Sequence, residues 1–263
     1  MLVLIKGAGD IASGIGLRLW RSGFKVVMTE IPQPTVIRRK VAFAEAVYEG
    51  TTEVEGVKAC LAGDSLEAKK LLEDGLIPVL VDPQAGCCRE LAPEVIVDAT
   101  LAKKNLGTFR GQAPLVIGCG PGFTAGEDVD LVIETMRGHY LGRVIRQGSA
   151  LPNTGVPGSI AGYGAERVLR ATGDGVFEAV REIGDLVHEG EVVALAGGEP
   201  VRAGISGVLR GILRSGLAVH RGMKVGDVDP RGRVEYCFTV SEKALAIGGG
   251  VLEGILGHLA SKR

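Results

Sequence analysis

Apolar residues open the chain in short blocks. Val3-Leu4-Ile5, bounded by Lys6 and Gly7, reads as a parallel strand covered on both faces. After Gly7-Ala8-Gly9, apolar side chains return at Ile11, Ile15, Leu19 and Trp20, close to helical spacing, and Gly23 ends that stretch. Lys25-Val26-Val27-Met28-Thr29 predicts the next strand, so one βαβ unit is complete by residue 30. The pattern predicts further strands over 54–59, 77–81, 95–97 and 115–118, with two more over 130–134 and 141–146. It predicts a helix over 65–73 with Asp64 as its N-cap. Three of these strands run into Asp82-Pro83, Asp98-Ala99-Thr100 and Cys119-Gly120-Pro121-Gly122. Open α/β sheets place their ligands at such carboxyl ends. The expected fold class is α/β, a Rossmann-like doubly wound parallel sheet over 1–148.

Near residue 148 the pattern changes. Residues 148–164 are rich in glycine and proline and read as a linker or an active-site loop. Short β segments punctuated by glycine follow over about 174–232, which suggests a small barrel or sandwich. Ile183-Gly184-Asp185, Val201-Arg202-Ala203 and Gly226-Asp227-Val228-Asp229 give this stretch the rhythm of a lipoyl- or biotinyl-like barrel-sandwich. The turn where a carrier domain would hold its lysine reads Ala196-Gly197-Gly198-Glu199-Pro200, so a structural or binding module is expected, not a carrier. Ser241 caps a predicted C-terminal helix, interrupted by Gly248-Gly249-Gly250; each glycine costs a helix about 1 kcal/mol relative to alanine. The expected division is 1–148, the Rossmann-like domain, and 149–263, which comprises linker, β-rich module and helix.

Composition narrows the function classes. The 30 basic and 31 acidic residues leave a net charge of −1, so no broad field draws the chain to nucleic acid or to an anionic membrane. Arg38-Arg39-Lys40 is a local basic cluster that reads first as a solvated loop. The 41 glycines and 4% aromatics suit tight turns and close backbone approaches better than a helical bundle. No apolar run reaches the roughly 18–20 residues of a membrane span, and the first residues lack a signal peptide's basic region and cleavage site. Five cysteines without scaffold spacing fit a reducing, cytoplasmic compartment.

Gly7-x-Gly9-x-x-Ala12 matches the dinucleotide fingerprint between a strand and a helix. Gly7 permits the turn, Gly9 admits a pyrophosphate and Ala12 lets the helix pack closely. The helix N-terminus offers unpaired amides and partial positive charge. Glu30 ends the second strand where an acid binds a ribose hydroxyl. Asp10 either repels phosphate or caps the helix itself. Arg38 and Arg39 are placed to meet a 2′-phosphate, so NAD and NADP are both admissible. Cys119 is either a small buried apolar residue or a thiolate stabilised by loop amides. His139 is either an acid–base partner near the same sheet edge or an ordinary surface histidine. Cys87-Cys88 lacks zinc spacing and leaves a minor redox or soft-metal reading. Lys103 and Lys104 either meet phosphate or open a solvated helix. No metal site is assigned.

These segments together carry a family resemblance. Lys6–Gly14, Met28-Thr29-Glu30, Arg38-Arg39, the Phe43–Gly50 stretch, Ile117–Gly126, Glu134-Thr135-x-Arg137-Gly138-His139, Leu141-Gly142-Arg143-Val144, Asn153-Thr154-Gly155-x-Pro157-Gly158 and Ala246–Leu252 resemble the accessory proteins of selenium-dependent molybdenum hydroxylase systems, the YqeB type. The resemblance spans essentially the whole chain. It implies a cytoplasmic factor for maturation or insertion of the molybdenum cofactor, with a molybdenum hydroxylase apoprotein as partner. It carries over no catalytic residue set. On this reading a nucleotide or dinucleotide, either molybdopterin dinucleotide or NAD(P), sits over Gly7–Ala12, and Cys119 with His139 handles sulfur or selenium. The rival readings are an NAD(P)-dependent oxidoreductase and a non-catalytic scaffold docking a hydroxylase. Association into a homo-oligomer stays open.

Overall fold

In the computed structural model, which describes residues 1–262, β1 (Leu2–Lys6) lies within a nine-stranded mixed sheet. Val3, Leu4 and Ile5 are fully buried, and successive side chains serve opposite faces. Leu4 joins Val27, Leu80, Ile96 and Leu91 in one core cluster. Ile5 faces α1 (Asp10–Arg21), where a Cβ added to Gly16 would stand 3.6 Å from it and 3.5 Å from the Met28 sulfur.

β2 (Lys25–Glu30) follows, then the one-turn helix α2 (Ala46–Glu49), β3 (Thr51–Val54), β4 (Val57–Ala62), α3 (Ser65–Glu73), β5 (Ile77–Val81), the one-turn α4 (Cys88–Leu91), β6 (Val95–Asp98) and β7 (Leu115–Cys119). β8 (Thr124–Ala125), β9 (Leu131–Ile133), β10 (Val144–Ile145) and β11 (Gly148–Ser149) complete the strands of this part. The sheet order is β10-β9-β7-β6-β1-β2-β5-β4-β3. β4, β5, β2, β1, β6, β7 and β9 run parallel, with antiparallel β3 and β10 at the two edges. β8 and β11 pair separately.

Two compact units divide the chain. The first comprises residues 1–34, 42–153 and the chain from 240 onward; the second comprises 35–41 and 154–239. The division expected at 148/149 therefore falls at 153/154, and the C-terminal helix returns to the first unit. That helix, α5 (Glu242–Ala260), packs on α1 and on β7, β9 and β10. Its Ser241 cap is as expected, with Oγ accepting from the Ala244 amide at 3.3 Å. Gly248-Gly249-Gly250 does not interrupt it. Gly248 lies flush against α1, where a Cβ would meet the Gly14 carbonyl oxygen at 3.2 Å; Gly250 lies against the Gly142 carbonyl. Close packing supplies what helix propensity lacks. The strand expected over 54–59 is instead a hairpin, β3 and β4 joined by Glu55-Gly56 with φ of 47° and 83°. A two-residue turn with both φ positive matches the right-handed twist of its strands.

In the second unit, β12 (Val168–Arg170), β13 (Gly175–Ala179), β14 (Leu186–Val187), β15 (Val192–Ala196), β16 (Glu199–Arg202), β17 (Gly207–Ile212), β18 (Ala218–Val219) and β19 (Lys224–Asp229) form two antiparallel sheets, ordered β12-β19-β17-β14 and β16-β15-β13-β18. The protein is thus mixed α/β, with one large, mainly parallel sheet and additional antiparallel sheets. No helix among the described residues is long and apolar enough to cross a membrane.

Candidate functional site

The carboxyl ends of β1, β2, β5, β6 and β7 lie side by side. Chain connections leave β1 toward β2 on one side and return to β6 on the other, so strand order reverses at this edge, the place where open α/β sheets bind ligands. Gly7 turns the chain out of β1 with φ +93°, and an added Cβ would stand 3.1 Å from the Ala99 carbonyl oxygen. Both facts reserve the position for glycine. Gly9 is the N-cap of α1, extended at φ −66° and ψ 179°, and no side chain caps the helix. A helix N-terminus presents amides and partial positive charge to an anion. Asp10 is the first residue of α1, and Gly9 occupies the N-cap position. Ala12 is buried.

Glu30 accepts from the Ala8 amide through Oε2 at 2.9 Å and from the Ile31 amide through Oε1 at 2.8 Å. It binds the loop itself as well as closing β2. Ser13 Oγ donates to the Ala8 carbonyl at 3.0 Å and accepts from the Phe43 amide at 2.7 Å; the Ala44 amide also reaches the Ala8 carbonyl. The segment 42–46 thus pins the glycine loop.

Directly beneath the loop is a buried polar group that the sequence reading missed. Lys6 Nζ donates to Thr108 Oγ1 at 2.7 Å and lies 3.6 Å from Asp98 Oδ2. Thr108 and Thr100 hydroxyls donate to the two Asp98 oxygens at 2.6 and 2.7 Å. Lys6 and Asp98 are 4% and 1% exposed, so each charge relies on the other. The available signal was Lys6 ending an apolar strand and Asp98 ending its neighbour.

Cys119 is enclosed. Burial pushes its thiol up, and the charge of Asp98 adds to the effect. The stabilised thiolate is therefore not what these surroundings favour. The glycines around it serve packing: Cβ atoms on Gly118 and Gly122 would strike the Phe123 ring and the Lys104 backbone. His139 is exposed, its ring edge-on to Tyr140 with centroids 5.0 Å apart. A thiol in the core and a ring in solvent do not make the expected pair. Lys103 and Lys104 open no helix.

Arg38 and Arg39 belong to the second unit. Arg38 Nη2 donates to the carbonyls of Tyr236 and Thr239 at 2.9 and 3.1 Å, and Arg39 Nε donates to that of Ile212 at 2.9 Å. Their donors serve the backbone, which removes the observation behind a 2′-phosphate role. In the same unit Arg167 pairs with Asp227, and Arg210 and Arg231 pair with Asp229. Among the described residues no group of three or more His, Cys, Asp or Glu is arranged to hold a metal.

No family model matches the chain. Among solved structures, an aspartoacylase family protein from Mesorhizobium loti aligns over 88% of this chain and 86% of its own at 13% identity, with a TM-score of 0.29. A succinylglutamate desuccinylase from Silicibacter sp. TM1040 aligns over 86% and 84% at 16% identity, with a TM-score of 0.25. Likenesses of that size carry no argument. By sequence, the chain is 55% identical over 255 residues to "Uncharacterized protein YqeB" of Escherichia coli (strain K12), covering 97% of this chain and 47% of that protein. The chain spans about half the length of that relative.

Proposed function

We propose that the chain is an accessory factor for maturation or insertion of the molybdenum cofactor of selenium-dependent molybdenum hydroxylases, and that it binds a nucleotide-containing form of that cofactor on the Gly7–Ala12 loop. The observation that carries the binding half is the glycine turn leading into the N-terminus of α1 at the reversal of strand order, with Gly7 held against Ala99 and Glu30 beside the loop. The parallel order β5-β2-β1-β6-β7 supports a Rossmann-type unit. The two antiparallel sheets support a lipoyl-like sandwich serving as a docking module for a hydroxylase apoprotein. The pathway half rests on the sequence resemblance and the YqeB homology. A cytoplasmic setting is part of the same proposal.

The loop fits a dinucleotide's pyrophosphate: the first-turn amides of α1 are donors, and glycine occupies its N-cap. Glu30 would exchange its bond to the Ala8 amide for a ribose hydroxyl. Bound molybdopterin dinucleotide would supply the dithiolene that carries molybdenum. This chain's own part is to hold the phosphates, orient the ribose and present the cofactor.

Native mass spectrometry of protein purified gently from its host, beside Gly9→Val, tests this. The extended backbone at Gly9 accepts valine without strain, while the branched side chain crowds the phosphate approach. A pterin dinucleotide in the parent alone is the expected result. A nicotinamide nucleotide would replace the proposal with the oxidoreductase reading. Protein free of ligand, and unable to bind added cofactor, would replace it with the scaffold reading.

A further inference from the structure

The end of β5 holds a second centre that the glycine loop does not use. Cys87 and Cys88 are adjacent, half-buried free thiols. Asp82 Oδ2 accepts from the Cys87 amide at 2.8 Å. Cys88 opens α4 and lines a groove of about 570 Å³ walled by Ala92, Pro93, Ala113 and Pro114, with Glu94 and Gln112 at its polar side. We propose that Cys87 and Cys88 form a thiol–disulfide exchange site for a small-molecule disulfide, with Cys88 the attacking sulfur and Cys87 the resolving one.

The two thiols are not equivalent. The neighbouring Cys88 sulfur, burial and the Asp82 carboxylate all push the Cys87 thiol up. The neighbouring Cys87 thiol and the charge of Lys6 lower the Cys88 thiol, outweighing burial and Asp82. A thiolate attacks and a thiol does not. Only Cys88 lines the groove, where the substituents of a disulfide have room.

The steps balance. The Cys88 thiolate attacks one sulfur of R–S–S–R; the S–S bond breaks and R–S⁻ leaves, taking a proton from solvent. Cys87 then gives up its proton and attacks the Cys88 sulfur of the mixed disulfide, releasing the second R–S⁻, which takes a proton in turn. Two electrons pass from the dithiol to the substrate, which ends as two R–SH. The ring closed through the Cys87–Cys88 peptide is strained and hence easily reduced again by excess thiol.

The test treats the full chain with bis(2-hydroxyethyl) disulfide, quenches at intervals with acid and maps the cysteine peptides by mass spectrometry. In the unsubstituted protein the hydroxyethylthio adduct is expected first on Cys88, about tenfold faster than on half-buried Cys60. Loss of two hydrogens across Cys87–Cys88 follows. Cys87→Ser should accumulate the Cys88 adduct, and Cys88→Ser should lose the fast phase. First labelling at Cys87, equal rates at Cys60 and Cys88, or a fast phase surviving in Cys88→Ser would overturn the proposal. Mapping of the unsubstituted protein decides the point even if a variant folds poorly.

Discussion

Alanine substitution along Gly248-Gly249-Gly250 separates helix propensity from packing within three residues. At Gly249 an added Cβ would meet only the end of the Arg18 side chain, at 3.7 Å, an ordinary contact. Gly249→Ala should therefore gain the helix-propensity difference, about 1 kcal/mol. At Gly250 the same methyl would overlap the Gly142 carbonyl oxygen and stand 3.0 Å from Ile133 Cγ2. The oxygen is backbone and cannot swing aside. Overpacking costs about 1–3 kcal/mol, and a backbone obstacle places this site at the upper end. Less the propensity gain of about 1 kcal/mol, Gly250→Ala should lose about 2 kcal/mol. Gly248→Ala, with 3.2 Å to the Gly14 oxygen and 3.3 Å to Ile15 Cα, should fall between them. At roughly 2–4 °C per kcal/mol for a chain of this size, calorimetry should raise Tm by about 2–4 °C for Gly249→Ala and lower it by about 4–8 °C for Gly250→Ala. Equal shifts, or a stabilised Gly250→Ala, would refute the argument that α5 carries these glycines because it is pressed against α1 and the Gly142 turn.

Lys6→Met should destabilise by about 3–5 kcal/mol in urea unfolding, because it leaves the Asp98 carboxylate buried without its cation; the double variant Lys6→Met/Asp98→Asn should recover much of that loss. In the second unit, burial works against the charge of Asp229, but hydrogen bonds from the Arg231 side chain and amide outweigh it and hold the carboxyl below its ordinary range. A depressed folded pKa gives stability that is present above the unfolded carboxylate value and is lost as pH falls through the folded one. Acid titration of stability should therefore show a fall below the usual carboxylate range that Asp229→Asn flattens; an unchanged acid slope would refute the assignment.

The strand ends were legible because fully buried parallel strands leave continuous apolar runs, and 3–5, 77–81, 95–97 and 115–118 are such runs. The glycine loop was legible because its fingerprint is local. Lys6 with Asp98 was not, since the pair is made by neighbouring strands far apart in sequence. The hairpin at Glu55-Gly56 was read as one strand because its turn lacks the Asn-Gly or Asp-Gly signal, although Gly56 between two apolar runs was a clue. Cys119 in a glycine loop suggested reactivity, yet those glycines make room for Phe123 and Lys104. Arg38 and Arg39 follow β2 by only a few residues, and nothing local reveals that their carbonyl partners lie near positions 212 and 236–239. Adjacent cysteines carry no metal spacing in the sequence, and the Asp82 bond and the groove beside Cys88 come from chain segments the local pattern does not join.

The return of the chain at Val240 to the first unit sets an order of assembly during synthesis. The face of the sheet that α5 covers is translated before residue 154, but its cover follows the whole of the second unit. At about 5–20 residues per second, the intervening 86 residues (240 − 154) leave that face waiting roughly 4–17 s on the ribosome. The inserted unit has time to close on itself first, with only residues 35–41 drawn from the earlier chain. During that interval Leu131, Ile133 and Ile117 are candidates for chaperone capture, and release comes with the emergence of a helix whose glycines let it settle flush.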